Sequence, residues 1–382
     1  MKKYFFYAMV MALGLNLFAT SCSDDDTEVS SADLDCTSSN LSSWGNYMYA
    51  VITLLQDDAT NLYEDWTSST SYGTGMNYAE YFQSHYSVSS CVQTIVEGCA
   101  DIANEVGTAK IGDPITKYVS GDVTGALYAV ESWYSWHSKD DYSNNILSIQ
   151  NSYYGTRTGS VGSSSLAAYV AANNADLDTK VKNAITAAYN AIQNIPSPFR
   201  NNIVSTQSYA AQDACADLEE ILTKELKPYV VDEASANETV FAEIVETYVN
   251  NVVIPTYADL RSKVSTFSSA VSSFHSNPSD ANFEVCAEAW LDAREPWEKS
   301  EAFLFGPVSD RGLDPNMDSW PLDQDAIVQM LNSGNFADME WSGEFVEDDS
   351  EQAEQIASAQ SVRGFHTLEY LIFKDGQPRT IK

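Results

Sequence analysis

Tyr257, Leu260, Val264, Phe267, Val271 and Phe274 recur at alternating steps of three and four. That spacing puts six apolar side chains on one face of a single helix, and a strand cannot use it. Pro255, just ahead of the stripe, should start or kink this helix. Comparable stripes run through residues 88–106, 115–137, 177–195, 206–227, 239–254, 283–305 and 352–373. No Asn-Gly or Asp-Gly turn stands between alternating runs, so strand signals are poor. Residues 68–76, 155–164 and the proline-rich 306–322 read as loops. Residues 228–238 divide the helical runs into two groups. The expected fold is all-α, with one bundle of about four helices over 40–232 and a second over 233–382.

Ahead of the first bundle, Lys2 and Lys3 precede an apolar stretch, residues 4–19, and then Ser21-Cys22. This is the layout of a signal peptide rather than a membrane span. A cysteine straight after the apolar stretch resembles a bacterial lipoprotein signal, with residues 1–21 removed and Cys22 lipidated. A plain secretory signal with an incidental cysteine is the alternative. The Ser-Asp-Asp-Asp run at 23–26 resembles the export signal of Bacteroidetes surface lipoproteins. Residues 22–39 read as a disordered acidic tether. The expected place is therefore the outer membrane, facing outward, with a periplasm-facing placement as the alternative and the lipid on Cys22 as the membrane contact.

The 382 residues carry a net charge of −34. A surface this acidic repels nucleic acid, which is excluded as a partner. Without Cys22, five scattered cysteines remain, which is not a disulfide framework. Cys91 and Cys99 could pair, but on one helix eight residues span about 12 Å, too far for a bridge. No CxxC or Cys/His cluster suggests structural zinc.

Two segments carry candidate chemistry. In RGFHTLEYLIF, His366 and Glu369 share a helix face. Gly364 would let a backbone or ligand approach closely, and Arg363 adds a fixed positive charge. An imidazole beside a carboxylate can ligate zinc or iron. A zinc protease motif, however, needs a second histidine that is absent here; His85, His137 and His275 sit in no matching motif. In WLDAREPWEKSEAFLFGP, Arg294, Glu298 and Glu301 fall on one face among Trp290, Trp297, Phe303 and Phe305. Buried charges amid aromatics must be paired or ligated. The plain alternatives are a core helix for the first segment and a solvated ion pair for the second.

Together these stretches resemble the imelysin-like family. The GxHxxE signature is met by Gly364, His366 and Glu369. A Trp/Arg/Glu-Ala-Phe block is met by Trp290, Arg294 and Ser300–Phe303, and a WPLD step by Trp320–Asp323. Residues 100–114, 129–155 and 190–199 are similar to blocks found near the family's C-terminus. They come first here, so the resemblance implies a circularly permuted chain order. It further implies two similar helical bundles with a site between them, and an association with bacterial iron uptake. The expected ligand is a metal ion, iron or zinc, or a small polar molecule, with His366 and Glu369 as the metal ligands. Components of an iron-uptake receptor are the expected partners. An older label in the family makes it a metallopeptidase; a structural lipoprotein without a ligand is the other alternative. From the first half, the family-like positions are Asp113, Glu131 and Ser132, with Trp133 and Trp136 as pocket walls. For Glu131 a solvated helix residue, for Asp113 a helix cap, and for His137 a surface helix end are the alternatives.

Overall fold

The computed structural model describes residues 34–382 except 71, 73 and 74. The expected signal peptide and lipidated Cys22 lie outside the described residues. The order is α1 (Leu41–Thr67), α2 (Tyr78–His85), α3 (Val88–Glu105), α4 (Asp113–Val119), α5 (Val123–Tyr128), α6 (Ser138–Tyr154), α7 (Leu166–Asn173), α8 (Ala175–Gln193) and α9 (Thr206–Ile221). Then come α10 (Lys227–Ala236), α11 (Glu238–Tyr248), α12 (Ile254–Ser276), α13 (Asp280–Glu298), α14 (Pro307–Asp310), α15 (Leu313–Asp318), α16 (Gln324–Ser333), α17 (Glu351–Gln360) and α18 (Gly364–Ile372). The fold is all-α, as expected. The apolar stripe from Tyr257 to Phe274 is buried along α12.

Serines begin several helices for one reason: a short hydroxyl accepts the N3 amide that has no helical partner. Ser87 accepts from Ser90, Ser205 from Ser208, Ser279 from Asn282 and Ser350 from Ala353.

Three π-helical segments, Val106–Gly112, Leu222–Leu226 and Val249–Val253, interrupt otherwise continuous helices. Each is followed at once by a helix with proline in its first turn: Pro114, Pro228 and Pro255. Proline lacks the amide hydrogen and crowds the carbonyl one turn back. A widened turn relieves that clash without ending the helix. Residues 228–238, expected to separate two groups of helices, therefore form most of α10. The break falls one residue beyond it, at Asn237.

Two further expectations are corrected. Residues 306–322 are not simply a loop: they hold α14 and α15, with Pro307 and Pro315 in first turns, where a missing amide costs nothing. The helix expected over 115–137 is instead two: α4 ends at Val119, Gly121 takes left-handed backbone, and the side chain of Asp122 caps a separate α5 that ends at Tyr128. Residues 129–137 form a loop in which Ser132 (φ 52°) and Trp136 (φ 66°) take left-handed backbone. The absence of a hairpin is corrected too. Phe373–Lys374 and Gln377–Pro378 pair antiparallel across Asp375-Gly376, both with positive φ, as a primed turn requires.

The helices group by packing rather than by chain order. α1 lies along α12, α12 along α13, and α18 crosses both α1 and α13. A second set gathers α3, α6, α8, α9 and α10. α13 packs on α6, and the 3₁₀ turn Glu301–Phe303 lies against α3 and α6. Indoles fix α18 in place: Trp44 donates to the Leu371 carbonyl (2.8 Å) and Trp290 to the Phe365 carbonyl (2.9 Å). Both are fully buried, each worth about 4–6 kcal/mol by area.

The expected tether ran to residue 39. Residues 35–39 are instead held against the C-terminus. The Lys382 amide donates to the Cys36 carbonyl (2.9 Å), the Ser38 amide donates to Lys382 (3.2 Å), and Asp35 pairs with Lys374 (3.1 Å) and Lys382 (2.9 Å). Cys91 and Cys99 both lie on α3, and all five described cysteines are buried and free. Among the described residues, no helix is long and apolar enough to cross a membrane.

Candidate metal centre

Gly364 opens α18 with φ 88°, and a Cβ there would stand 2.5 Å from the Met317 carbonyl oxygen. Only glycine combines that backbone with that contact. The end of α15 consequently presses on the start of α18 and delivers Asp318 to His366. The histidine's Nδ1 lies 2.9 Å from Glu369 Oε2, and its Nε2 lies 3.0 Å from Asp318 Oδ1 and 3.5 Å from Glu131 Oε1. The ring of Trp320 tilts over the imidazole at 4.7 Å between centroids.

Glu369 is fixed from its other side. Its Oε1 accepts from the Tyr134 amide (3.0 Å), the Ser135 amide (2.8 Å) and the Ser135 hydroxyl (2.8 Å). These donors come from the left-handed loop 129–137, which wraps the carboxylate. Both oxygens of Glu369 are thus engaged. The expectation that Glu369 is a metal ligand is corrected on position: it lies on the Nδ1 side of the ring, whereas Asp318 and Glu131 converge on Nε2, so it orients His366 from behind.

Arg294 occupies the middle. Its Nη2 lies 2.6 Å from Glu298 Oε1, 2.8 Å from Glu131 Oε1 and 3.2 Å from His366 Nε2, while Nη1 bonds Asp318. Asp141 stands 3.7 Å from its Nε and accepts from the Ser132 hydroxyl. Lys110, turned inward by the π segment, lies 3.0 Å from Glu131 Oε2. Trp297 donates to Asp318 Oδ2 at 2.6 Å, and Asn145 donates to Glu298 Oε2 at 2.6 Å. His366, Glu298 and Glu369 are wholly buried, and Arg294 is 1% exposed.

The electrostatics sort the acids into two classes. Burial raises the Glu131 carboxyl, but Lys110, His366 and Arg294 overcome it and hold the group down at about 2. Asp318 is likewise held well below the carboxylate range, its burial outweighed by Arg294 and His366. Burial wins elsewhere. It lifts Asp141 to about 7 and Glu298 to about 8 against Arg294, lifts Asp314 to about 8 with Asp318 and Glu105 adding to it, and lifts Glu301 well above its usual value. Burial and Arg294 lower the imidazole of His366, yet Asp318 and Glu131 raise it well above its usual value. The ring of His366 thus lies between carboxylates on both sides, Glu369 at Nδ1 and Asp318 at Nε2.

Gly364, His366, Glu369, Arg294, Glu298, Glu301, Glu131 and Ser132 are brought together. Asp113 is not: on α4 it pairs one turn along with Lys117 and stays partly exposed, and it caps nothing. Trp133 and Trp136 do not wall the site. Trp133 lies 3.7 Å beneath the Arg200 guanidinium and Trp136 packs on Gly376, leaving Trp320 as the wall. Arg363 pairs with Asp58. His137 sits at the start of α6, His85 stacks on Tyr81 and His275 faces Asn46. Asp318, Asp141, Lys110 and Asn145 were not expected. The one sequence signal for Asp318 was its place two residues before Trp320 in the WPLD step.

The donor set suits a metal ion. One ligand atom each from Glu131, Asp318 and His366 lie within 4.8 Å of one another, and all three residues are at least mostly buried. An imidazole with two carboxylates is a set for first-row divalent ions. Glu131 Oε2 and Glu298 Oε1 are buried without a hydrogen bond, held by charge alone.

The family model described as imelysin matches residues 13–224 and 253–382. The crystal structure of an imelysin peptidase from Bacteroides ovatus is 54% identical, with a TM-score of 0.88, over 92% of this chain and all of that one. Iron-regulated protein A of Synechococcus elongatus is 29% identical over 136 residues, 36% of this chain. The chain spans about a third (33%) of that curated relative's length. Matched along nearly its whole length, this chain belongs to the imelysin family.

Proposed function

We propose that this protein is a lipid-anchored cell-surface component of iron acquisition that binds a metal ion at His366, Glu131 and Asp318. The observation that carries the reading is the convergence of His366 Nε2, Glu131 and Asp318 from three distant segments into one buried set of ligand atoms within 4.8 Å. His366 Nε2 and the two carboxylates would hold the ion, which would supply positive charge where Arg294 and Lys110 supply it now. Glu369 would fix the ring tautomer, and Arg294 would hold the remaining acids. The likeness to a relative named for iron regulation supports iron as the physiological metal. Cys22 would tether the chain to the outer membrane, and uptake components would receive the ion.

Titration of the purified, chelator-stripped protein with Fe²⁺ under anaerobic conditions, and with Co²⁺ as a spectroscopic stand-in, tests this. One tight equivalent is expected, weakened at least tenfold in His366→Gln and in Asp318→Asn. Equal affinity in the parent and both variants would refute it. A peptidase reading would use Glu369 as ligand or base, and both of its oxygens are taken up by His366 and by the Tyr134 and Ser135 donors.

A further inference from the structure

The turn that follows α13 carries a carboxyl for which the cluster offers no partner. Glu301 is 7% exposed, and among the described residues its side chain makes no hydrogen bond or ion pair. The other acids around Arg294 do have partners: Glu131, Asp141, Glu298 and Asp318 all contact a cation. An oxygen of Glu301 nonetheless lies within 4.8 Å of ligand oxygens of Glu298 and Asp318. Glu298, Glu105 and Asp314 add negative charge around it, and Lys110 opposes them.

A second atom points the same way. Asn145 is wholly buried, and its amide nitrogen is fixed on Glu298 Oε2 at 2.6 Å. Its carbonyl oxygen, beside that nitrogen, is buried with no hydrogen-bond partner. Leaving a buried polar oxygen such as this one unpaired is unfavourable. Carboxyl and amide oxygens are the donors a hard cation takes.

We propose that Glu298, Glu301 and Asp318, with the Asn145 carbonyl, form a second, all-oxygen cation station that shares Asp318 with the imidazole station. The proposal rests on the preceding reading only for that sharing. The two stations differ in chemistry: four oxygens suit Mn²⁺, Ca²⁺ and trivalent ions, whereas imidazole suits Co²⁺ or Zn²⁺. Glu301 is 7% exposed while His366 is wholly buried, so the oxygen station is the outer of the two at its Glu301 end.

Terbium(III) is the probe. Trp297, hydrogen-bonded to Asp318, would sensitise its emission, and high salt screens the acidic surface. The whole purified protein is titrated with Tb³⁺ by emission and with Co²⁺ by visible absorption. Glu301→Gln is expected to weaken Tb³⁺ at least tenfold and Co²⁺ less than threefold; His366→Gln is expected to do the reverse. Should Glu301→Gln fail to fold by circular dichroism, Glu301→Asp takes its place, with Tb³⁺ affinity expected to fall at least threefold. Parent protein without sensitised emission, or a folded Glu301 variant within twofold of the parent for Tb³⁺, overturns the outer station. Parent protein that binds Tb³⁺ through Glu301 but shows no Co²⁺ absorption overturns the imidazole reading and leaves this one standing.

Discussion

Glu369 Oε2 lies 2.9 Å from His366 Nδ1, while the same carboxylate caps the amides of Tyr134 and Ser135 from more than 230 positions away in the chain. One side chain thereby sets the direction of the imidazole and the shape of a loop. Glu369→Ala strips the counter-charge from His366 and leaves two buried amides unpaired. A loss of about 3–5 kcal/mol is expected, as for a broken buried ion pair. Glu369→Gln keeps an acceptor and should cost about half as much. Urea unfolding followed by circular dichroism measures both.

Arg294 faces Glu131, Glu298, Asp318 and Asp141 at once. A lysine keeps the charge but lacks the planar fork that reaches several carboxylates. Arg294→Lys should lower stability by about 2–4 kcal/mol despite conserving charge, seen as a lower urea midpoint. An unchanged midpoint would mean that the guanidinium geometry is immaterial to the cluster.

Gly364 touches the Met317 carbonyl where a Cβ would stand at 2.5 Å. Gly364→Ala must shift α15 or distort α18, on top of about 1–3 kcal/mol for left-handed backbone in a non-glycine residue. A displaced α15 carries Asp318 off the imidazole. The variant should therefore lose metal affinity at least tenfold in the same titration that tests His366→Gln. Parental affinity in a folded Gly364→Ala protein would refute the role assigned to this contact.

The pairing of Asp35 with Lys382 and Lys374 should respond to acid. Its hydrogen bond to Lys382 lowers the carboxyl; burial raises it; Lys374 lowers it further, and the net shift is downward. A carboxyl depressed on folding contributes stability that is fully present above its unfolded value. That contribution is lost as pH falls through the folded one. Amide exchange at Lys382 should therefore quicken as pH drops below about 4, after correction for the intrinsic rate. In Asp35→Asn it should be fast at every pH. The groups are partly exposed, so high salt should blunt the effect.

The helical architecture was legible because a stripe such as Tyr257–Phe274 has one geometric solution. The meeting of the GxHxxE helix with the Arg294 helix was legible from charges set among tryptophans. Three things were not. Asp318 lay in a segment whose prolines read as loop, although Pro315 sits where a short helix tolerates it. The orientation of Glu369 depends on amides supplied by a loop whose left-handed residues, Ser132 and Trp136, are not of the types that announce such backbone. Lys110 and Asp113 stand three residues apart, yet one turns inward and the other does not. That difference arises from a π segment which only the proline after it could have suggested.

The wide turn at Val106–Gly112 makes the site sensitive to chain length. An α-helical residue advances the side-chain direction by about 100°. Deleting one residue ahead of Lys110 within that turn would swing its ammonium away from Glu131 and strip the acid of one of its cations. The helix itself would remain, since a turn shortened by one is simply α-helical. A one-codon deletion there could thus silence the pocket while leaving the bundle standing.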